Sequence, residues 1–380
     1  MLKRKSSIVF VNQVSGYLMI DIINEHASLY DEIILLTGLL NPRNKKLHPK
    51  VKVVKLVAYN RTSTLKRLVT WSLFFLQTFF LLLVKYRRHS LYLVSNPPLN
   101  IIIAHWMKRP LAYLIYDVYP HILVTYGIIK EKSWVFNSLN RINQSVINKA
   151  KEVFTLSNGM KELISEGEVA LEKIKVVPIW TDNTFFKKIE KRDNLFIQKY
   201  NLQNRFLVVY SGNLGKTHPI EVVLELAIKC KDIPELLFLI IGEGEKKKRI
   251  EELKKKRKIQ NVEILPFQPV ELFSHSLSAV DLGIVTLDSQ AGHLSVPSKT
   301  FNLMSVSTPI LAVSDNNAEL SKLIRKHQIG RHFEESNIEG MVHFIKEIMY
   351  DVDYYKELSL NSFRCSENFT PENAKKMLLK

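Results

Sequence analysis

Short apolar runs alternate along this chain with longer segments of mixed character. In the first half the runs are Ile8–Val11, Glu32–Thr37, Val51–Leu56, Leu91–Val94, Leu111–Tyr116, Glu152–Leu156 and Ile174–Pro178. In the second half they are Phe206–Ser211, Leu236–Gly242, Val262–Leu265, Leu282–Val285, Pro309–Val313 and Gly330–Phe333. Ile, Val, Leu, Phe and Tyr dominate them, and most lack the polar alternation of a half-exposed strand. That is the pattern of parallel strands buried on both faces. The intervening segments, such as Pro219–Cys230 and Glu245–Lys258, are long enough for crossover helices. Two successive sets of this kind predict an α/β fold of two Rossmann-like, doubly wound domains. The polar stretch Trp180–Gln203, just after Pro178, separates the sets, and the expected domains are residues 1–185 and 186–366.

One segment departs from the pattern. Val69–Val84 is apolar over 16 residues and is flanked by Lys66, Arg67, Lys85, Arg87 and Arg88. It is shorter than the roughly 20 residues of a bilayer span. It also carries Ser72, Gln77 and Thr78. Three readings stay open for residues 66–88: a crossover helix buried in the first domain, an interfacial helix with phenylalanines in the acyl boundary and cations on headgroups, or a true span of the bilayer.

Composition narrows the partners. The 380 residues carry 54 Lys and Arg against 37 Asp and Glu, a formal charge of +17. This balance favours anionic partners: phosphorylated substrates, phospholipid surfaces or nucleic acid. Lys246-Lys247-Lys248-Arg249 is interspersed with Glu243, Glu245, Glu251 and Glu252, which suits a solvated helix face better than a nucleic-acid stripe, so no nucleic acid is expected. The two cysteines, Cys230 and Cys365, imply no disulfide framework and fit a reducing cytoplasm. Met1–Lys5 is basic, but Ser6–Phe10 is too short for a signal-peptide core, so cytoplasmic residence is expected.

Candidate chemistry collects at the ends of the predicted strands, where open parallel sheets bind ligands. Val296-Pro297-Ser298-Lys299-Thr300 is a proline-opened turn into a short helix. Its first amides, Ser298 and the Lys299 ammonium suit an anion. Ser211-Gly212-Asn213-Leu214-Gly215-Lys216 is a second glycine-bearing loop of this type, and the pair suggests a diphosphate between them. Gly242-Glu243-Gly244 would let a nucleoside approach the backbone, and Phe267-Gln268 could face a flat base. In the first domain Asp117 follows a strand where a carboxylate reaches a cleft, or else caps the next segment. Ser15-Gly16 and Asn96 lie in comparable turns. The histidines have no partner at ligand spacing, so no metal site is expected. Nucleophile-elbow, Walker and G-x-G-x-x-G patterns are absent.

These motifs resemble the family-four retaining glycosyltransferases of GT-B fold, and within them the bacterial surface-polysaccharide subgroup of O-antigen and capsule assembly. The likeness runs over most of the chain. It is carried by Asn96-Pro97-Pro98, Asp117-Val118-Tyr119-Pro120, Val177-Pro178-Ile179-Trp180-Thr181-Asp182, Ser211-Gly212-Asn213-Leu214-Gly215, Ile241-Gly242-Glu243-Gly244 and Val296-Pro297-Ser298-Lys299 ahead of Thr308-Pro309. The resemblance implies two Rossmann-like domains facing a cleft. A C-terminal helix at 367–380, with Thr370 as N-cap and Pro371 first, would cross back to the first domain.

By the same resemblance the second domain binds a nucleotide-diphosphate sugar and the first binds the acceptor. Gly212, Asn213, Gly215, Ser298 and Lys299 would hold the diphosphate. Gly242, Glu243, Gly244, Phe267, Gln268 and Asn302 would hold the nucleoside. Ser15, Gly16, Asn96 and Asp117 would meet the acceptor, with Asp117 and Lys299 catalytic. The implied reaction is hexosyl or N-acetylhexosaminyl transfer with retention, without metal or cofactor. The acceptor would be a lipid-linked glycan, polyprenyl-diphosphate-borne, at the anionic inner face of the cell membrane. The chain departs from the family at two positions, eight apart, where glutamates are common: here they are Leu294 and Asn302. Ser307 stands where a glycine is usual. A catalytically weakened binding partner in a polysaccharide assembly complex is the alternative function.

Overall fold

The computed structural model describes the chain except residues 1–5, 61, 126, 166–170, 216–217 and 288–295, and the side chain of residue 125. It divides into two units. The first runs to Ile179 and takes in Pro371–Lys380, and the second is Trp180–Thr370.

In the first unit the strands are β1 (Ser7–Val11), β2 (Val14–Gly16), β3 (Glu32–Thr37), β4 (Leu39–Asn41), β5 (Val51–Lys55), β6 (Ser90–Val94), β7 (Leu111–Ile115), β8 (Glu152–Thr155) and β9 (Ile174–Val176). Seven of them form one parallel sheet in the order β5-β3-β1-β6-β7-β8-β9. Val9 at its centre pairs with Ile34 on one side and Leu91 on the other. The central strands are almost wholly buried, while the edge strand Val-Lys-Val-Val-Lys is only partly covered and leaves Val53 exposed. Strands β2 and β4 make a separate parallel ribbon beyond the ends of β1 and β3, a feature the apolar pattern does not announce.

In the second unit β10 (Phe206–Ser211), β11 (Leu236–Ile241), β12 (Val262–Leu265), β13 (Leu282–Thr286), β14 (Ile310–Val313) and β15 (Gly330–Phe333) are likewise parallel, in the order β12-β11-β10-β13-β14-β15. Tyr210, Phe238, Ile240, Ile284, Leu311 and Phe344 are among the fully buried side chains of its core. Each large apolar side chain so buried contributes about 1.5–3 kcal/mol. In each sheet the winding direction reverses once, between β1 and β6 and between β10 and β13. Such a switch point opens a crevice at the carboxyl ends of the strands.

The division falls six residues before the expected one because Trp180–Phe186 packs into the second unit. The Thr181 amide donates to the Phe369 carbonyl (3.1 Å), the Phe185 carbonyl accepts from Ser274 Oγ (2.9 Å), and Phe186 meets Phe273 edge to face. The C-terminal segment also departs from expectation. The α-helix is Val352–Ser366, and Pro371–Met377 is a 3-10 helix with Pro371 first. Within the first unit, Tyr92 Oη donates to the Met377 carbonyl (3.2 Å), and the Leu379 amide donates to His26 Nε2 (3.0 Å). Burial lowers the His26 pKa to about 4, so its ring stays neutral and Nε2 remains an acceptor.

The apolar segment forms the helix Thr64–Val84, capped by Ser63 Oγ on the Lys66 amide (3.2 Å). The helix has 21 residues, long and apolar enough by length and composition to cross a membrane, and its two faces differ. Trp71, Phe74, Thr78 and Leu82 are buried, at the spacing of one helical stripe. On the outer face Leu65, Leu76, Phe80 and Val84 are 72%, 57%, 71% and 68% exposed.

Candidate functional site

At the second unit's switch point, β10 ends in Tyr210-Ser211 and runs into Gly212 with φ 155°. A Cβ at Gly212 would lie 3.2 Å from Lys299 Nζ, so the glycine leaves room for that ammonium. Lys299 enters the helix Ser298–Ser305, whose N-terminus has no side-chain cap. Its Nζ sits 3.8 Å from the centre of the Tyr210 ring. The stem is partly exposed, but the nitrogen is shut off from solvent and, among the described residues, has no hydrogen-bond partner. Loss of hydration lowers its pKa to about 7. A cation at a helix N-terminus also opposes the helix dipole. Ser298 is exposed beside it, and Thr300 Oγ1 is buried without a partner among the described residues. A buried, unpartnered amine beside an uncapped helix start has the makings of an anion site.

The loops after β10 and β11 are laced together. The Gly212 amide donates to the Ile241 carbonyl (2.9 Å), the Leu214 amide to Glu243 O (2.8 Å), and the Lys246 amide to Leu214 O (2.9 Å). A Cβ at Gly242 would fall 1.9 Å from the Gly212 carbonyl oxygen, and one at Gly244 2.5 Å from that of Leu214. The protein's own backbone therefore fills the space that a Cβ would need at these two glycines. Gly215 gives room to the Asn213 side chain, which is exposed. Glu243 pairs with Lys247 at 2.8 Å, and Lys246 with Glu221 at 2.9 Å.

The remaining nucleoside candidates are placed unevenly. Phe267 is 51% exposed and available as a flat face. The Gln268 amide nitrogen donates to its own loop at Pro266 O (2.9 Å), and its oxygen accepts from Tyr200 Oη (3.3 Å). Asn302 is buried one turn beyond Lys299, and its oxygen accepts from Thr181 Oγ1 at 2.7 Å. That bond leaves the NH2 group of Asn302 to donate to a ligand. Leu294 lies outside the described residues. Ser307 holds φ 62°, the left-handed conformation that explains why a glycine is usual there.

In the first unit, Ser95 ends β6 at the switch point. Its Oγ accepts from the amides of Tyr116 and Asp117, both at 3.1 Å, and so fixes the turn that carries Asp117. Asp117 is half-buried, and its carboxylate makes no ion pair among the described residues. Desolvation raises its pKa. Asn96 follows Ser95 and is partly exposed. Gly16 precedes the helix Tyr17–Glu25, which has no side-chain cap. Ser15 is fully buried and donates to the Asn12 carbonyl (3.2 Å) while accepting from Thr37 Oγ1 (3.1 Å). Its hydroxyl therefore builds the turn instead of facing a ligand. Sequence reasoning missed Tyr210, and it missed Asp21, buried and paired with Lys45 at 3.0 Å beside Tyr17, which Arg43 covers at 4.2 Å.

Two parallel, doubly wound units of this topology define a protein of the GT-B class. Residues 192–364, within the second unit, match the family model of group 1 glycosyl transferases. The chain is 25% identical over 258 residues to the probable glycosyltransferase WbjE of Pseudomonas aeruginosa, covering 67% of this chain and 64% of that protein. It is 26% identical over 209 residues to the putative colanic acid biosynthesis glycosyl transferase WcaI of Escherichia coli K12, covering 54% and 51%. The chain thus spans less than two thirds of either relative. Among solved structures, HepE of Anabaena in complex with UDP-glucose superposes with a TM-score of 0.71 at 14% identity, over 97% of each chain.

Proposed function

We propose that the protein is a glycosyltransferase of surface-polysaccharide or lipopolysaccharide biosynthesis that takes its sugar from a nucleoside-diphosphate sugar. The observation that carries the reading is the buried Lys299 ammonium, unpartnered among the described residues, beside Gly212 and an uncapped helix start. As the glycosidic bond to the diphosphate breaks, negative charge grows on the leaving oxygen. Lys299, Ser298 and the first amides of the helix would stabilise that charge from a dry, preformed position. No metal is needed for this role, and turnover is expected to persist with a chelator. Phe267 would stack on the base, and the NH2 of Asn302 would donate to a hydroxyl of the nucleoside. In the first unit Asp117 would orient the acceptor hydroxyl or take its proton, a task that a carboxyl with a raised pKa suits. Retention of configuration follows from the family resemblance.

The acceptor is proposed to be lipid-linked. The outer face of Thr64–Val84, with Lys66, Lys85, Arg87 and Arg88 exposed at its ends, would rest on the anionic inner leaflet. A binding role without turnover is the second reading. It is favoured by Asn302 standing where the family commonly has a carboxylate.

A thermal-shift screen against nucleoside diphosphates and inorganic pyrophosphate tests the donor site, because a ligand of the folded state raises its melting temperature. Release of sugar from nucleotide sugars without acceptor separates the two readings. Stabilisation with sugar release supports the transferase. Stabilisation without release, with acceptor present or absent, supports the binding role. No stabilisation by any nucleotide or by pyrophosphate refutes the donor site.

A further inference from the structure

We infer that Tyr210 is a positioning residue joining the two sides of the diphosphate site: its hydroxyl fixes the Gly212–Asn213 turn, and its ring holds the Lys299 ammonium until a ligand takes it. The inference rests on the donor-site reading above. Tyr210 is fully buried near the end of β10, and its Oη donates to the carbonyl of Asn213, three residues on, at 2.8 Å. The same side chain presents its ring to Lys299 Nζ at 3.8 Å. One residue therefore touches both loops, which are 86 positions apart in sequence (299 − 213).

The geometry gives each half of the side chain a separate task. Burial pushes the phenol pKa above its ordinary range, so Oη stays a hydrogen-bond donor at neutral pH. The ring offers the ammonium a negative face, but no acceptor lone pair. Such a hold is weaker than hydration, and the amine accordingly titrates near neutrality, at about 7. No carboxylate, histidine or second cation acts on it among the described residues. Three ionisable groups on or beside the elements packed around the helix have partners of their own. Asp281, just before β13, pairs with Lys191 at 2.6 Å. His275 Nδ1 accepts from the Leu195 amide at 3.1 Å, and Tyr354 Oη accepts from Arg331 at 3.1 Å. A diphosphate entering beside Gly212 supplies the missing acceptor. The neutral fraction of Lys299 then takes one proton from solvent, its nitrogen going from NH2 to NH3+.

Isothermal titration with UDP and with inorganic pyrophosphate, from about pH 6 to about pH 9, tests this. Wild-type affinity is expected to be level just below about pH 7 and to fall toward tenfold per unit above it, with one proton taken up on the alkaline side. The ligand's own ionisation near pH 6 appears equally in every variant. Tyr210→Phe keeps the ring and removes the turn anchor: affinity falls about three- to tenfold and the break stays in place. Tyr210→Leu removes the ring as well, so the break moves to lower pH and binding weakens further. Melting curves identify any variant that fails to fold, and Tyr210→Phe, which conserves volume, decides the hydroxyl's role by itself. If both variants keep the wild-type break, or both keep wild-type affinity, Tyr210 is only a core residue. If the wild type binds neither UDP nor pyrophosphate, the donor-site reading falls first and takes this inference with it.

Discussion

The two sheet mouths share a topology and differ in charge. The second unit holds a cation at its β10/β13 switch point, buried against an aromatic ring. The first unit holds an anion, Asp117, one strand along from its β1/β6 switch point, on a turn fixed by Ser95. Burial moves both toward their neutral forms, and neither makes an ion pair among the described residues. Two other buried carboxylates are matched: Asp281 with Lys191, Asp21 with Lys45. A fold selected for stability alone would pair or replace Lys299 and Asp117. On the proposed function their counter-charges would arrive with ligands, a nucleotide in one unit and an acceptor in the other.

The sharpest way to break that comparison is to neutralise each mouth separately. Asp117→Asn should lower sugar transfer by roughly 10²–10⁴ while leaving nucleoside-diphosphate affinity intact. Lys299→Ala should lower turnover at least roughly tenfold and weaken nucleotide binding as well. Steady-state transfer and titration calorimetry on both variants provide the readout. If Asp117→Asn instead loses nucleotide affinity and keeps transfer, the roles of the two units are reversed.

The helix Thr64–Val84 extends the contrast to surfaces. Its inner face is core, and Phe74→Ala should cost about 3–5 kcal/mol of stability in chemical denaturation. Its outer face makes no such contribution. Replacing Leu76, Phe80 and Leu83 with glutamine should leave stability within about 0.5 kcal/mol per site. Binding to anionic vesicles should fall by at least about tenfold, and salt should weaken what remains. A triple variant that still sediments fully with vesicles would remove the membrane role from this face.

Regularity explains what the sequence disclosed. Strands buried on both faces must be continuous apolar runs, so Glu32–Thr37 and Phe206–Ser211 were legible to the residue. The ribbon of β2 and β4 was not, because three-residue strands carry too few positions for a pattern. Lys299 was legible as an anomaly, a cation placed against a helix dipole. Tyr210 was not: an aromatic residue in a buried strand reads as core, and its second contact comes from a helix far along the chain. The close packing of the loops at Gly242 and Gly244 was hidden for a similar reason. Sequence shows that a Cβ is absent but not which atom occupies the space, and here a neighbouring loop does.

The smallest expected effect tests whether the cation is a stored cost. Lys299 titrates at about 7 in the folded protein, against about 10.4 in an unfolded chain. Between those values the unfolded state binds one more proton than the folded state, so this group's contribution makes stability rise with pH through the window. Below it the full cost of burying the charge is present. Lys299→Met keeps the length of the side chain and removes the charge. The variant should therefore be more stable than the wild type at pH 7 and below, by about 1–3 kcal/mol in urea unfolding. The gain should shrink as pH rises toward about 10. Saturating nucleoside diphosphate should reverse the ranking, because it stabilises the wild type and not the variant. A methionine variant less stable than the wild type at every pH would show that Lys299 already has an internal counter-charge. The contrast between the two mouths would then lose its cation.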